Sequence, residues 1–213
     1  MTGRSDLNGQ YSNPSGDAGR DVLKAMNEHH VPLWGFCLSH MPKGMDGSVL
    51  DVGCGGGGFL GMMYQRYPYA MFFGTDISEE SLRMTAENNP GMMWEAALEL
   101  HRASVEDMPF VDGAFDMVTA METYFFWPDL RKGMEEVSRV TSAGGILVIG
   151  SEMRVDPSDP DYDSYRKDVL RDYGAELVSD DEMVGIMDSC GFDVRVFTVP
   201  ENRWVVFVGS KRF

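Results

Sequence analysis

The sequence has few cysteines, few histidines and no long apolar run. Its 213 residues include 3 cysteines and 4 histidines. Cys37, Cys54 and Cys190 form no close pair and no metal-ligand spacing, so neither a disulfide framework nor a metal site is expected. This cysteine usage is typical of a reducing cytoplasm, which is the predicted location. No apolar run approaches about 18 residues and no signal-peptide pattern is visible, so we expect neither membrane insertion nor secretion.

Basic residues are also scarce. The chain has 18 Lys and Arg against 34 Asp and Glu, a formal net charge of -16. An acidic surface repels phosphate backbones, so nucleic acid is not an expected partner. The charge instead favours a small-molecule partner. The chain is long enough for one α/β domain with a full core, and not for a separate catalytic domain as well.

The most informative segment is a glycine-rich loop after the first predicted strand. That strand ends in Asp51 and Val52 and is followed directly by the residues Gly53-Cys54-Gly55-Gly56-Gly57-Gly58. Glycines allow a sharp turn and a close approach to a nucleotide-like ligand at the carboxyl edge of a sheet, and a helix beginning near Phe59 offers free N–H groups. Asp76 ends the next apolar run, where its carboxylate can accept hydrogen bonds from both ribose hydroxyls. An adenosine-containing ligand is therefore predicted.

Two ligands of this class compete for the loop. Gly53, Gly55 and Gly58 satisfy the G-x-G-x-x-G fingerprint of dinucleotide sites, whereas the Gly-Lys-Ser/Thr end of a phosphate-binding P-loop is missing. Asp51 separates the two, because a carboxylate two residues before the first glycine would repel a pyrophosphate. The same carboxylate suits the ammonium and sulfonium groups of S-adenosylmethionine. The residues favour that ligand, and an NAD-linked reductase remains the weaker alternative.

Four more motifs follow the loop in order. They are Gly74-Thr75-Asp76-Ile77-Ser78, the segment 103–110 (ASVEDMPF), the segment 115–120 (FDMVTA) and the segment 137–145 (VSRVTSAGG). With the loop, this ladder resembles the class I S-adenosylmethionine-dependent methyltransferases over roughly residues 20–210. Residues 26–30 and 122–129 further resemble a bacterial and archaeal subgroup of small-molecule methyltransferases. The resemblance implies a Rossmann-like α/β fold: a seven-stranded sheet, mostly parallel with an antiparallel C-terminal strand, and helices on both faces.

The hydrophobic pattern predicts the same architecture. Strands are predicted near residues 48–52, 70–74, 98–103, 115–121 and 145–151, and helices near 58–67, 78–89, 129–141 and 180–190. Their alternation indicates right-handed βαβ units and a parallel sheet. Two further alternating runs, 192–197 and 204–208, are separated by only a few polar residues and must pair antiparallel.

The domain organisation follows from composition. Residues 1–19 are polar and are predicted to form a flexible N-terminal arm. Residues 20–213 are predicted to form a single methyltransferase domain, with an N-terminal helical cap over 20–45 that begins around Asp21. Residues 152–178 are rich in Asp, Pro and Tyr and are interpreted as an acidic lid over the acceptor pocket, with a solvated loop as the alternative.

The resemblance also implies the residues that bind the donor. Asp51, Gly53, Gly55 and Gly57 would contact the methionine end, with Cys54 as a small residue inside the turn. Asp76 would bind the ribose, Ile77 would pack on the adenine, and Ser104 and Val105 would lie at the adenine edge. Many relatives carry an aspartate in place of Ser104, so a weaker hydrogen bond is expected there.

The acceptor side is predicted from the end of the fourth strand and from the N-terminal cap. Glu122, Tyr124 and Trp127 should lie at the carboxyl edge, facing the transferable methyl group. The predicted catalytic residues are His30, Glu122 and Tyr124, and the predicted substrate contacts are His29, Phe126 and Trp127. Glu122 could instead contact the donor's ammonium. The aromatic residues could cradle a planar substrate, or only fill the gap between sheet and cap.

The predicted function is transfer of a methyl group from S-adenosylmethionine to a small aromatic or apolar molecule, by in-line displacement without a metal. The alternative from another class is a non-catalytic module that binds S-adenosylmethionine. The expected partner is the small-molecule acceptor, and a homodimer is the predicted assembly.

Overall fold

The computed structural model describes residues 9–213, in which seven strands form one sheet. The strands are β1 Ser48–Val52, β2 Met71–Asp76, β3 Leu98–Arg102, β4 Phe115–Met121, β5 Thr141–Ser151, β6 Phe192–Val199 and β7 Trp204–Lys211. Their order across the sheet is β3-β2-β1-β4-β5-β7-β6. β1 to β5 pair in parallel, and β7 is antiparallel to both β5 and β6. The predicted Rossmann-like fold with an antiparallel C-terminal hairpin is confirmed.

Eight helices cover this sheet in the described part of the chain. They are α1 Gly16–His29, α2 Val31–Ser39, α3 Gly58–Arg66, α4 Glu79–Asn88, α5 Pro90–Trp94, α6 Leu130–Val140, α7 Tyr162–Tyr173 and α8 Asp180–Ser189. Residues 9–12 are also helical, and short 3-10 turns lie at Tyr124–Phe126 and Pro200–Asn202. Between residues 9 and 213, none of these helices combines the length and the apolar composition needed to cross a bilayer.

Two separate cores lie on the two faces of the sheet, because successive side chains of a strand point to opposite faces. Leu50 and Val118 belong to one core, which also contains α6, α7 and α8 residues. Val49 and Met117, their neighbours along β1 and β4, belong to the other core, together with residues of α2 and α3. The strands at the centre of the sheet are therefore apolar on both sides, as expected for a parallel sheet.

The fifth strand begins earlier than predicted. β5 starts at Thr141, whereas the sequence pattern placed its start at 145 and continued the preceding helix to 141. Thr141 pairs with Phe115 of β4, and Ile146 pairs with Met117, so the residues between them form an irregularity in the ladder. Gly144 lies there with a φ of 76°. The glycines that indicated a helix-to-strand turn thus belong to a bulge inside the strand.

The N-terminal region also differs from the prediction. α1 begins at Gly16, five positions before the predicted start at Asp21, so the predicted boundary between arm and domain falls inside a helix. Residues 1–8 of the predicted arm lie outside the described residues. The short apolar stretch after α1 forms the separate helix α2, and Pro90 begins an unpredicted helix α5, because its fixed φ suits the first helical position.

The register of the sheet brings the carboxyl ends of β1, β2 and β4 to one edge. Asp51 pairs with Gly74 of β2 and with Thr119 of β4. Because the three strands are parallel, the residues that follow them also meet at this edge. The glycine loop follows β1, Asp76 ends β2, and Glu122 follows β4.

Candidate functional site

The glycine loop turns tightly over the ends of β1 and β2. The backbone N–H groups of Gly53 and Cys54 both donate to the Thr75 carbonyl, at 2.8 and 3.0 Å. Gly53 has a φ of 70°, a left-handed conformation that favours glycine. A Cβ atom on Gly53 would lie 2.6 Å from Cγ2 of Thr123, so the position has no space for a side chain either. The sequence run of glycines therefore reflects both strain and close packing.

Side chains of α1 and α4 hold the loop from outside through its carbonyl oxygens. Thr85 donates to the Gly55 carbonyl at 2.8 Å, Asn27 and Asn88 donate to the Gly56 carbonyl at 3.0 and 2.8 Å, and Asn89 donates to the Gly57 carbonyl at 3.0 Å. With these carbonyls satisfied, the loop is fixed before any ligand arrives. Such preorganisation reduces the entropy cost of binding.

Asp51 is a buried acid with a single hydrogen-bond donor from a neighbouring strand. The Thr119 hydroxyl donates to Oδ1 of Asp51 at 2.7 Å, and only 2% of Asp51 is exposed. Burial raises the pKa of Asp51 to about 7, the Thr119 hydrogen bond opposes this shift, and the charge of Asp76 adds to it. A cationic ligand group beside Asp51 would favour the ionised carboxylate.

Asp76 connects the end of β2 to the glycine loop. Its Oδ2 accepts from the Gly55 N–H at 3.0 Å, and its Oδ1 accepts from the Ser78 N–H at 2.9 Å. Burial raises the pKa of Asp76, and these hydrogen bonds oppose the shift. Each carboxylate oxygen can accept a further hydrogen bond, so the acid can shape the turn and bind a ligand at the same time.

Glu122 combines backbone strain with an unpaired buried oxygen. It has a φ of 58°, which is uncommon for a residue other than glycine. Its Oε1 accepts from the Glu152 N–H at 2.6 Å. The residue is only 5% exposed, yet among residues 9–213 its Oε2 has no hydrogen-bond partner. Burial, followed by the charge of Glu152, raises the pKa of Glu122 to about 8, against the opposing hydrogen bonds. Strained residues and unsatisfied buried groups concentrate at functional sites.

Two adjoining cavities occupy this edge of the sheet. The first has a volume of about 160 Å³ and extends from the glycine loop to the segment after β3. The second has a volume of about 680 Å³ and lies between α1, the turn after β4 and the segment after β5. Residues that line both cavities are Tyr11, Met26, His30, Glu122 and Phe126. The shared wall means that a ligand in one cavity can approach a ligand in the other.

Most of the predicted donor residues line the first cavity. They are Asp51, Gly53, Cys54, Gly55, Asp76, Ile77, Ser104, Val105 and Glu122. Gly57 is not among the residues that line this cavity, and its contact with the donor stays a prediction. Its α carbon faces α4, because a Cβ atom there would lie 2.7 Å from Nδ2 of Asn89. Gly57 therefore serves the packing of the turn and does not reach the cavity.

The predicted acceptor residues are only partly brought together. His30, Glu122 and Phe126 line both cavities, Trp127 lines the first and His29 lines the second. Tyr124 lines neither cavity, and its catalytic role stays a prediction. The 3-10 turn after β4 directs Tyr124 into the core, where it is 2% exposed and where burial raises the pKa of its hydroxyl.

A cluster of two histidines and an acid lines the second cavity. Oε1 of Glu152 lies 2.9 Å from Nε2 of His29 and 3.5 Å from Nε2 of His30. Burial alone would raise the pKa of Glu152, but the two histidines outweigh it and the pKa is lowered. The three ligand atoms lie within 4.8 Å of one another, a spacing that could also hold a metal ion. The contact between His29 and Glu152 is a hydrogen bond.

Sequence reasoning missed Glu152 and several residues of the cavity walls. Glu152 lies 123 positions from His29, and no local pattern connects the two. Tyr11 and Pro14 line the first cavity from the segment that was predicted to be a flexible arm. The Pro14 carbonyl accepts from the Ser78 hydroxyl at 2.5 Å, which connects this segment to the start of α4. The composition of residues 9–15 contained no signal for this contact.

Comparison with known proteins agrees with this geometry. Residues 50–149 match a protein family described as a methyltransferase domain. The chain carries a class I S-adenosylmethionine-dependent methyltransferase domain. The matched region of the methyltransferase domain begins in β1 and ends in β5, so it contains the glycine loop, Asp76 and Glu122. The cofactor of this domain is S-adenosylmethionine.

Individual relatives of the methyltransferase domain vary in length and identity. An uncharacterized chloroplastic methyltransferase of Arabidopsis thaliana is 30% identical over 149 residues, which is 68% of this chain and 42% of the relative. The chain thus spans less than half the length of that protein. A SAM-dependent methyltransferase from Aquifex aeolicus aligns with a TM-score of 0.70 at 19% identity, over 89% of this chain and 96% of that one.

A second solved structure resembles the same fold. The geranyl diphosphate C-methyltransferase of Streptomyces coelicolor A3(2), in complex with Mg²⁺, geranyl diphosphate and S-adenosyl-L-homocysteine, aligns with a TM-score of 0.73. The identity is 15%, and the alignment covers 95% of this chain and 87% of that one. At this identity the likeness shows the fold of the methyltransferase domain, and not its acceptor.

Proposed function

We propose that this protein transfers a methyl group from S-adenosylmethionine to a small molecule that binds in the second cavity. The observation that carries the proposal is the shared wall of the two cavities. The donor-type cavity at the glycine loop shares the wall residues His30, Glu122 and Phe126 with a second cavity of about 680 Å³. That volume is typical of sites for small molecules.

The residues of the first cavity fit S-adenosylmethionine chemically. Asp51 is a buried acid, and among residues 9–213 no positive side chain pairs with it. The ammonium and sulfonium of the donor would supply that positive charge. We assign Asp51, Gly53, Cys54 and Gly55 to the methionine end. When bound, the cofactor supplies a methyl group that is activated by its sulfonium.

The remaining donor residues would bind the nucleoside. Asp76 has acceptor capacity left beside its two backbone hydrogen bonds, which suits the hydroxyls of a ribose. Ile77 is 43% exposed and lines the cavity, so an adenine ring could cover it. Ser104 and Val105 would lie at the adenine edge.

For the acceptor we propose an aromatic or apolar molecule. The walls of the second cavity are mostly apolar; the apolar and aromatic lining includes Val22, Met26, Phe125, Phe126, Met153 and Tyr173. Trp127 would close the cavity of the donor from the side of α6, where it packs on Gly133. In-line transfer requires that the acceptor be positioned and that water be excluded, and the proposal needs no metal.

His30 is the proposed general base. It lines both cavities, is mostly buried, and lies 3.5 Å from the Glu152 carboxylate, which can stabilise the protonated ring. A histidine oriented by a carboxylate is a common arrangement for taking a proton from a nucleophile. His29 is more exposed and would contact the acceptor at the rim.

The segment 152–178 is proposed as the rim of the acceptor cavity. Met153 and Tyr173 line the second cavity, and α7 lies between them in the chain. The ring of Tyr173 contacts that of Tyr11 edge to face, at 5.2 Å between centroids. The cytoplasmic location and the homodimer stay predictions of the sequence.

The donor assignment is tested by thermal unfolding with saturating S-adenosylhomocysteine or NADH. A bound ligand stabilises by RT ln(1 + [L]/Kd), so about 100 Kd of the true ligand contributes about 2.7 kcal/mol. We expect a clear upward shift of Tm with S-adenosylhomocysteine and none with NADH. The reverse result would refute the assignment.

Turnover is then tested with S-adenosylmethionine and a panel of small amines, phenols and thiols, by measuring S-adenosylhomocysteine formed. His30→Gln should lower kcat and leave the affinity for S-adenosylhomocysteine unchanged. The matched control is His101→Gln, because His101 lines neither cavity. Tight donor binding without turnover on any acceptor would favour the non-catalytic module.

A further inference from the structure

Both cavities are lined by acids and by no basic residue other than histidine. Among residues 9–213, neither lining contains a lysine or an arginine. The acidic residues of the second cavity are Asp21, Glu122 and Glu152. An acceptor with a carboxylate or a phosphate would find no lysine or arginine in this cavity and would be repelled by its ionised acids. The charge pattern therefore excludes anionic acceptors.

The unpaired oxygen of Glu122 indicates that a hydrogen-bond donor is missing. Oε2 of Glu122 is buried on the wall that the two cavities share, and no group in the described part of the chain forms a hydrogen bond with it. Leaving a buried polar atom unpaired costs about 1–3 kcal/mol, and more for a charged group. A ligand that brings an N–H group would recover this cost. A hydrocarbon would not.

Glu152 and the aromatic walls also suit a positive charge. The Glu152 side chain is ionised at neutral pH, because the two histidines lower its pKa against the effect of burial. Phe125 and Phe126, whose ring centroids are 4.8 Å apart, line the same cavity, as does Tyr11. Aromatic faces attract cations as well as apolar groups, particularly where water is displaced.

We propose that the methyl acceptor is an amine: an aromatic or apolar molecule that enters the second cavity as an ammonium and is methylated on its nitrogen. This inference rests on the proposed function and narrows the class of its acceptor. Glu152 and Glu122 bind the ammonium through its N–H groups, and the aromatic walls hold the rest of the molecule.

The chemistry balances with the groups present. The neutral ring of His30 takes one proton from the ammonium, and Glu152, 3.5 Å away, stabilises the resulting imidazolium. The freed lone pair on nitrogen forms the new nitrogen–carbon bond while the carbon–sulfur bond breaks, and that electron pair stays on sulfur. The positive charge of the sulfonium ends on the methylated ammonium. The proton on His30 leaves to solvent through the exposed side of His29.

The test compares acceptors that share a body and differ only in charge. The probes are 2-phenylethylamine, 2-phenylethanol and phenylacetate, and then tryptamine, tryptophol and indole-3-acetate. Affinity for the protein saturated with S-adenosylhomocysteine is measured by calorimetry, and turnover by S-adenosylhomocysteine release. We expect each amine to bind roughly tenfold tighter than its alcohol, because hydrogen bonds to charged groups contribute about 1.5–3 kcal/mol. We expect no binding of the carboxylates.

A charge-removing variant tests the role of the acid. Glu152→Gln keeps the shape of the side chain, and should weaken amine binding roughly tenfold while alcohol binding and S-adenosylhomocysteine binding stay unchanged. The matched control is Glu28→Gln, which removes the same charge from an exposed position of α1 that lines neither cavity. The amine affinity of that control should equal the wild-type value.

The outcomes separate this inference from the proposed function. If S-adenosylhomocysteine does not bind, the proposed function fails and the amine proposal fails with it. If S-adenosylhomocysteine binds but no amine outbinds its matched alcohol, including the case in which nothing binds, only the amine proposal is overturned. The wild-type comparison does not depend on the folding of any variant.

Discussion

Replacement of Asp51 by asparagine should separate the stability of this protein from its donor binding. In the ligand-free protein Asp51 is 2% exposed, and burial raises its pKa from 3.8 to about 7. Because its pKa is higher in the folded state, the proton on Asp51 binds the folded protein more tightly than the unfolded chain and stabilises the fold. This stabilisation is fully present below the unfolded pKa and is lost as pH rises through the folded pKa. Asparagine does not titrate, so the stability of Asp51→Asn should not fall in this way as pH rises.

The magnitude follows from the size of the shift. Each pKa unit corresponds to about 1.36 kcal/mol, so a shift from 3.8 to about 7 corresponds to at most about 4 kcal/mol above pH 7. Asp51→Asn should therefore have a larger free energy of unfolding than the wild type near pH 8. This difference in unfolding free energy should shrink steadily toward pH 4. The Thr119 hydroxyl can still donate to the amide oxygen, as it does to Oδ1 of the acid.

Donor binding should change in the opposite direction. Near pH 8 the variant should bind S-adenosylhomocysteine roughly 10- to 100-fold more weakly, because it lacks the charge that faces the ammonium. Methylthioadenosine has no amino-acid end and serves as the control ligand, for which the two proteins should have equal affinity. Urea unfolding at several pH values measures the first effect and calorimetry measures the second.

Two results would refute this reasoning. One is a difference in unfolding free energy between variant and wild type that stays constant from about pH 4 to about pH 8. The other is an equal loss of affinity for both ligands, which would indicate a distorted site and not a lost charge.

Two further predictions concern the loop and the turn after β4. Gly53→Ala and Gly55→Ala both place alanine at a positive φ, and this left-handed conformation should lower the free energy of unfolding by about 1–2 kcal/mol in each variant. Gly53→Ala should lose more stability in urea unfolding, because only its Cβ would meet Cγ2 of Thr123 at 2.6 Å, and equal losses would contradict this steric argument. Tyr124→Phe should leave the affinity for S-adenosylhomocysteine and for the acceptor within about twofold of the wild-type value, because Tyr124 lines neither cavity. A tenfold loss of affinity in calorimetry would show that Tyr124 takes part in binding.

The positions of the glycine loop and of the acids at the strand ends could be predicted because their signals are local in sequence. The glycine run directly follows β1, and Asp76 ends β2, so each residue is placed by the strand that precedes it. In a parallel sheet the carboxyl ends of neighbouring strands meet at one edge, which brings these residues together without further information. The same logic placed Glu122 after β4.

Local logic failed where packing overrides it. Gly57 belongs to the glycine run, yet it faces α4 and not the cavity. Tyr124 and Phe126 belong to the same 3-10 turn after β4, but the turn places the ring of Tyr124 in the core and that of Phe126 on the cavity wall. The glycines at the start of β5 resembled a turn, although pairing with β4 makes them a bulge. In each case a neighbouring element decided the direction of a residue that the sequence pattern left open.

By itself, the sequence predicted the strands, most of the helices, the tight loop and the acids beside it, because each depends on residues next to one another in the chain. Only the tertiary structure decided the acceptor side. His29 and His30 at the end of α1 meet Glu152 after β5 because α1 packs across the edge of the sheet where β4 and β5 are neighbours. Contacts of this kind depend on how whole elements pack, and no short stretch of sequence encodes them.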